Sequence, residues 1–331
     1  MDKKILFVID KLELKYFEFN KLVTDFWLIK EFLQRGFEVC VTTIDKLGVE
    51  SAKGYCNCKK SFLKDNNIFL EDKFKKTFIE NFKLVLFRPD PPVDLDYINA
   101  TYVFDFVDRS KTLILNDPKA IRDFNEKLHS NIFHELMPQN ITTSNKDEIE
   151  QFLEKNEEII LKPLNRCFGS GVMYLKNGDK NTRSIINTMT NNQSTVVMVQ
   201  KYISNAQYGD KRVLILGEEI LSECVIKLPG KDDFKFDTHS DEYIKKATLS
   251  QSEKEKFKEV ASQLNKMGLP MAGLDVIDEQ IIEINVTSPC YFIKEINNYF
   301  STTLEKTITD FLTKKISEKS STTSCSLGCS N

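Results

Sequence analysis

The sequence predicts a chain that is α/β in its first third and α+β beyond it. Two observations carry this. Short apolar strands alternate with helical patterns up to about residue 115, the βαβ rhythm of a small open sheet with helices on its faces. Past residue 117 the rhythm becomes a meander of short strands broken by helices, as expected of antiparallel sheets.

Residues 4–9 (KILFVI) read as the first strand. Leu22, Val23, Phe26, Ile29, Phe32 and Leu33 recur at helical spacing over 20–35, and Gly36 closes that helix. Residues 37–43, 83–88 and 112–115 are further apolar strands, and Asp94 opens a helical pattern that runs through Val107. The stretch 46–80 is polar and takes no placement. Asn116-Asp117-Pro118 starts a helix, because proline suits a first turn whose N–H has no partner. That helix is expected to reach His134, before the Met137-Pro138 break. A helix over 146–155, strands over 158–163 and 172–176 and a glycine-containing turn over 165–171 follow. Strands over 196–203, 211–216 and 218–228 come next, then a polar segment 230–248 without period. A helix over 250–267, two strands and a last helix over 301–316 complete the pattern. Residues 318–331 are rich in Ser, Thr and Cys, with too few apolar side chains to pack.

Composition excludes several classes. With 331 residues, 41% hydrophobic and 29% charged, the chain can bury a real core. A net charge of -3 argues against a nucleic-acid-tracking surface. No apolar run approaches the roughly 20 residues that span a bilayer, and the N-terminus lacks the pattern of a signal peptide. A cytoplasmic protein, with no membrane or nucleic-acid partner, is expected. The eight cysteines are scattered and would stay reduced there. Cys56-Asn57-Cys58 has no second pair nearby, so zinc is not expected.

The final strand pair carries the chemistry. Side chains alternate between faces along a strand. Leu274 and Val276 fall on one face and Asp275 on the other. Ile282, Ile284 and Val286 share a face, opposite Glu283 and Asn285. Matching the apolar faces selects a three-residue turn, Asp278 to Gln280, with 276 beside 282 and 275 beside 283. Asp275, Glu283 and Asn285 then converge. Three oxygen donors of this kind suit Mg²⁺ on nucleotide phosphates; an acidic, solvated sheet face has the same alternation.

The string Gly273-Leu274-Asp275, with Glu283-Ile284-Asn285-Val286-Thr287-Ser288-Pro289 after it, resembles the metal-binding end of bacterial glutathione synthetase, an ATP-grasp ligase. Four other blocks resemble that family in the same order: Arg88-Pro89-Asp90-Pro91-Pro92 with Ala100-Thr101-Tyr102, Arg122-Asp123 with Asn125-Glu126-Lys127-Leu128, Ile160-Leu161-Lys162-Pro163, and Gly209-Asp210-Lys211-Arg212-Val213. The resemblance implies an ATP-grasp fold with an N-terminal Rossmann-like (pre-ATP-grasp) domain. The expected divisions are 1–120, 121–200, 201–316 and a loose tail 317–331. It implies ATP with Mg²⁺ or Mn²⁺, held at Asp275, Glu283 and Asn285. Lys127 and Lys162 would hold phosphates, Gln200, Lys201, Tyr202 and Ile203 would read adenine through the backbone, and Asp210 would accept from ribose. Gly169, Ser170 and Gly171 would belong to a loop over the phosphates. Arg212 would stabilise an acyl phosphate, and Arg88 would clamp a substrate carboxylate. Partners would be small-molecule or peptide carboxylates and amines, with a homo-oligomer, dimer or tetramer.

The chain also departs from that family. Residues 10–20 lack its Lys-Asp-Ser-Ser string, and residues 231–246 hold neither the glycines nor the arginine of its peptide-covering segment. The expectation is therefore a ligase with a changed peptide side. The alternatives are a plain glutathione synthetase, a ligase acting on a ribosomal peptide or on its own tail through the carboxylate of Asn331, and a nucleotide-binding protein without ligation.

Overall fold

The computed structural model describes residues 3–15, 23–167, 169–231, 236 and 241–327. The first sheet is built around β1 (Lys4–Ile9), apolar and buried on both faces, as a strand between helix layers must be. After α1 (Lys11–Lys15) and α2 (Thr24–Gln34), β2 (Glu38–Thr43) lies parallel to β1. The strands β3 (Leu47–Glu50), β4 (Lys53–Lys64), β5 (Asn67–Leu70) and β6 (Lys75–Phe78) form an antiparallel extension joined to β2 through β4. On the other side of β1 stands β7 (Leu84–Phe87). After α3 (Leu95–Tyr102), β8 (Leu113–Leu115) joins it, both parallel. The extension occupies the polar stretch that the sequence left unplaced. Its long strand β4 buries Gly54, Cys56 and Cys58 on one face, and such small side chains give no hydrophobic alternation.

Asp117 caps α4 (Pro118–Asp123), accepting from the Lys119 amide at 3.0 Å. The helix expected to reach His134 stops at Asp123, and a 3-10 stretch follows over His129–Leu136. Asn125 breaks it. The Asn125 Nδ2 donates to the Leu164 carbonyl at 3.0 Å, and its Oδ1 accepts from the amides of Lys127 and Leu128. Side-chain bonds of this kind compete with the helix, and here they turn Glu126 and Lys127 inward.

The second sheet is antiparallel throughout. It contains β9 (Asn140–Thr143), β10 (Glu158–Pro163), β11 (Met173–Lys176) and β12 (Val197–Lys201), in the order β11-β10-β12-β9. With α5 (Lys146–Asn156) and α6 (Thr182–Met189) it closes a core of its own around Ile149, Leu153, Ile159 and Ile186. The helix α6 is an addition to the sequence reading.

The third sheet comprises β13 (Asp210–Leu216), β14 (Glu219–Ile220), β15 (Glu223–Lys227), β16 (Ile244–Thr248), β17 (Met271–Ile277) and β18 (Gln280–Asn285). The order is β16-β15-β13-β17-β18, with β14 folded back on β13. The single strand expected over 218–228 is thus two, and the segment 230–248 ends in β16. A capping box between Ser250 and Glu253 starts α7 (Gln251–Lys266). The chain then adds α8 (Ile293–Phe300) and α9 (Leu304–Leu327). The last helix therefore starts later than expected and stays helical beyond 316, into the segment read as a loose tail. Residues 328–331, with Cys329 and the carboxylate of Asn331, lie outside the described residues.

Two contacts fix the first sheet on the third. Asn116 donates to the carbonyls of Met271 and Val286, both at 2.7 Å, and accepts from the Met271 amide. Arg35, at the end of α2, meets Asp310 of α9 at 2.6 Å.

Candidate active site

A cavity of about 550 Å³ opens where the three sheets meet. Fourteen of the fifteen named site residues line it: Arg88, Lys127, Lys162, Gly169, Ser170, Gln200, Lys201, Tyr202, Ile203, Asp210, Arg212, Asp275, Glu283 and Asn285. Gly171 stands outside, with positive φ and packed on Pro163. Phe168, in the same loop, lies outside the described residues.

The hairpin β17–β18 brings Asp275 opposite Glu283, as the apolar pattern predicts. It does so by another route. The turn has two residues, Asp278 and Glu279, both with positive φ, the geometry of a tight hairpin. Val276 consequently pairs with Ile281, not Ile282, and a bulge restores the register at Asp275. A bulged residue leaves the ladder, and the Ile282 carbonyl accepts from Lys162 Nζ at 3.0 Å. Asn285 Nδ2 donates to Asp275 Oδ2 at 3.1 Å, which turns its amide oxygen the other way.

Asp275 is 6% exposed and ringed by donors. Arg212 bonds both its oxygens, at 2.7 and 3.2 Å, and Lys227 Nζ lies 2.8 Å from Oδ1. Burial raises its pKa, but Arg212 and Lys227 outweigh that and hold the carboxyl well below the usual carboxylate range. Lys127 Nζ pairs with Glu283 at 2.9 Å and donates to the Arg166 carbonyl at 2.7 Å. Against the cost of burial, Glu283 raises the Lys127 pKa. Lys162 Nζ donates to Gln200 Oε1 at 2.8 Å. Burial lowers its pKa to about 8, with Glu283 opposing.

At the C-terminal end of β12, the amides of Lys201 and Tyr202 are engaged, donating to the carbonyls of Gln139 (2.8 Å) and Glu158 (3.0 Å). These two N–H groups are already used in this conformation, so backbone reading of a base at this hinge would fall to its other backbone groups. Among the buried side-chain atoms of cavity-lining residues, Gln200 Nε2 and Asp210 Oδ1, like Glu13 Oε2, have no hydrogen-bond partner. The other Asp210 oxygen meets Lys227 at 2.9 Å. Burial is the main force that pushes Asp210 up to about 7, with Lys227 pulling the other way. Buried polar atoms without partners are costly, and Gln200 and Asp210 both line the cavity. The hard oxygen donors of Asp275, Glu283 and Asn285 are those a small divalent cation takes.

Arg88 sits at the end of β7, buried, with Nε on Asp25 at 2.6 Å and Nη2 on the Pro289 carbonyl at 3.0 Å. Sequence reasoning missed four residues here. Lys227 bridges Asp210 and Asp275. Glu126 accepts from the Val286 and Thr287 amides and the Thr287 hydroxyl, pinning the chain after β18. Asp25 pairs with Arg88, and Asp90 accepts from the Ser288 hydroxyl. Glu126 and Asp90 fall inside the quoted blocks, and that was the available signal.

Three sheets around a cavity with two buried lysines and a carboxylate-bearing C-terminal hairpin define an ATP-grasp ligase. Residues 126–301 match the profile of the prokaryotic glutathione synthetase ATP-grasp domain, and residues 4–122 that of its N-terminal domain. The chain belongs to the prokaryotic glutathione synthetase family. Glutathione synthetase of Vibrio parahaemolyticus is 32% identical over 295 residues, 88% of this chain and 93% of that protein. The enzyme of a Nostoc species is 36% identical over 238 residues, 72% of this chain and 73% of that one. Among solved structures, a D-cycloserine synthetase superposes with a TM-score of 0.66 at 12% identity, covering 95% of this chain and 99% of the other. A Chryseobacterium gregarium ATP-grasp ligase, solved with ADP and a leader and core peptide, gives 0.62 at 17% identity, covering 95% and 97%. These two similarities show the fold. The chain is thus an ATP-dependent ligase that forms C–N bonds and uses ATP with a divalent metal ion. No helix among the described residues is long and apolar enough to cross a membrane.

Proposed function

We propose that this ligase activates a small peptide-like carboxylate with ATP and joins it to an amine, at a site whose nucleotide half is that of its family and whose substrate half is altered. The observation that carries the reading is the pair of unpartnered atoms, Gln200 Nε2 and Asp210 Oδ1, in the same cavity wall as Lys127 and Lys162. A nucleotide would satisfy both, with Gln200 toward the base and Asp210 toward the ribose hydroxyls.

In the reaction, a donor carboxylate oxygen attacks the γ-phosphorus of ATP and ADP leaves. An amine then attacks the acyl carbon of the resulting acyl phosphate, and phosphate departs. Lys127 and Lys162 hold the phosphates as compact cations. Asp275, Glu283 and Asn285 would hold Mg²⁺, which supplies charge neutralisation on the phosphates when bound. Arg212 steadies the oxygens on which negative charge gathers, a task suited to a guanidinium fork. Gly169 and Ser170 close over the phosphates by their backbone. Positioning and electrostatics carry such a transfer, and no side-chain nucleophile is needed.

The substrate half departs in residues 10–20 and 231–246, parts of which lie outside the described residues. Poor use of γ-glutamylcysteine with glycine follows. A second reading, plain glutathione synthesis, is favoured by identity that extends over 93% of a curated relative. Release of ADP, measured with γ-glutamylcysteine and glycine and then with a panel of other amines, separates the two. Turnover with glycine far above every other amine would favour the second reading. ADP release with no donor–amine pair would contradict both.

A further inference from the structure

The end of the cavity nearest the first sheet is lined by Glu13, Asp25, Arg88 and Asp90. Arg88 is held there by its own backbone, since its amide donates to the Val8 carbonyl at 2.9 Å and continues the β1–β7 pairing. Its guanidinium would ordinarily be a clamp for a substrate carboxylate. In this chain an internal carboxylate already occupies it. Asp25, in the first turn of α2, meets Nε at 2.6 Å, and the two side chains are 5% and 3% exposed. A buried pair this short leaves little of the cation's field for a ligand.

Among the described residues that line this end, the other ionisable side chains are acidic. Asp90 accepts from Ser288, and Glu13 Oε2 is enclosed without a hydrogen-bond partner. The charges acting most strongly on Glu13 are the carboxylates of Asp25, Asp90 and Asp10 and the single guanidinium of Arg88. Burial is the largest cause, and this imbalance adds to it. Glu13 is pushed up to about 9 and Asp90 up to about 6. Carboxylates so crowded take up protons or recruit a cation. A second carboxylate on the substrate would meet the same field beside an arginine that is already paired. An ammonium group would relieve the crowding and give Glu13 Oε2 a partner.

The nucleotide end, at Gln200 and Asp210, is built by the second and third sheets, so the first-sheet end is left to the far part of the acyl donor. We infer that this end of the site binds an ammonium group of the acyl donor and disfavours a carboxylate there, with Asp25 as the residue that sets the preference. The inference rests on the ligase reading and names its substrate class: amino-bearing carboxylic acids whose distal end is cationic.

The test uses donors that differ only at that end. The full chain, with Mg²⁺ and a non-hydrolysable ATP analogue, is titrated calorimetrically with γ-aminobutyryl-cysteine, which keeps only the distal ammonium, and with glutaryl-cysteine, which keeps only the carboxylate. The ammonium donor is expected to bind about tenfold tighter or more. In Asp25→Ser, which leaves Arg88 unpaired, the order should reverse. Should that variant fail to fold, Asp25→Asn keeps the shape and should narrow the preference. Equal binding, or tighter binding of glutaryl-cysteine by the unmodified chain, overturns the inference. ADP release is read separately. An ammonium preference in binding, with no turnover for any donor, would contradict the ligase reading and leave this inference standing.

Discussion

Arg212 and Asp275 stand directly opposite each other on adjacent antiparallel strands and share two hydrogen bonds, at 2.7 and 3.2 Å. The close approach depends on Gly273, where a Cβ would come within 2.9 Å of Arg212 Cδ. One partner is assigned to the metal and the other to the developing acyl phosphate, so each holds the other in position before substrates arrive.

Lysine in place of Arg212 keeps the charge and loses the fork. Arg212→Lys should lower ADP formation by about 100-fold, the scale of losing one oriented donor to a transition-state oxyanion. Calorimetric affinity for ATP should change far less. Equal losses in binding and turnover would show that Arg212 serves the ground state only.

Glu283 compensates Lys127 directly and acts on Lys162 through space. Removing it should do two things. Glu283→Ala should abolish Mg²⁺-dependent ATP turnover, and it should also destabilise the ligand-free chain. Glu283 is 22% exposed at its side chain and Lys127 only 5%, so a cost of about 1–3 kcal/mol is expected, below that of breaking a fully buried pair. Urea unfolding reads the second effect. Unchanged turnover in this variant would remove Glu283 from the metal site.

Asp90 gives a pH signature. Its folded pKa is raised from 3.8 to about 6, chiefly by burial, with Asp25 and Asp10 adding and Ser288 opposing. Between those values the folded chain holds a proton that the unfolded chain has lost, so stability falls as pH rises through that window. Asp90→Asn removes the titration. Its melting temperature relative to the unmodified chain should therefore climb from about pH 4 to about pH 7 and level off above. A difference that stays flat over this range would mean that Asp90 titrates normally.

These residues differ in how far the sequence exposes them. The face shared by Asp275, Glu283 and Asn285 is local, and strict alternation against Leu274, Ile284 and Val286 reveals it. The bulge at Ile282 is invisible to alternation, which counts faces and not carbonyls. Lys227 ends an apolar strand and looks like an ordinary boundary lysine. Only the pairing of β15 with β13 carries it to Asp275, 48 positions away. Asp25 resembles an acidic residue that complements a helix N-terminus, and its bond to Arg88 spans 63 positions. Long-range ion pairs of this kind carry no local period, and the substrate half of the site is made of them.

The most direct measurement follows oxygen. A donor that supports ADP release is labelled with heavy oxygen in its carboxylate, and the phosphate product is weighed after turnover with an amine. Activation as an acyl phosphate predicts that the phosphate carries one label from the donor, in step with ADP and amide formed. Unlabelled phosphate, with ADP accumulating whether or not donor and amine are present, would show hydrolysis by water and contradict the ligase account.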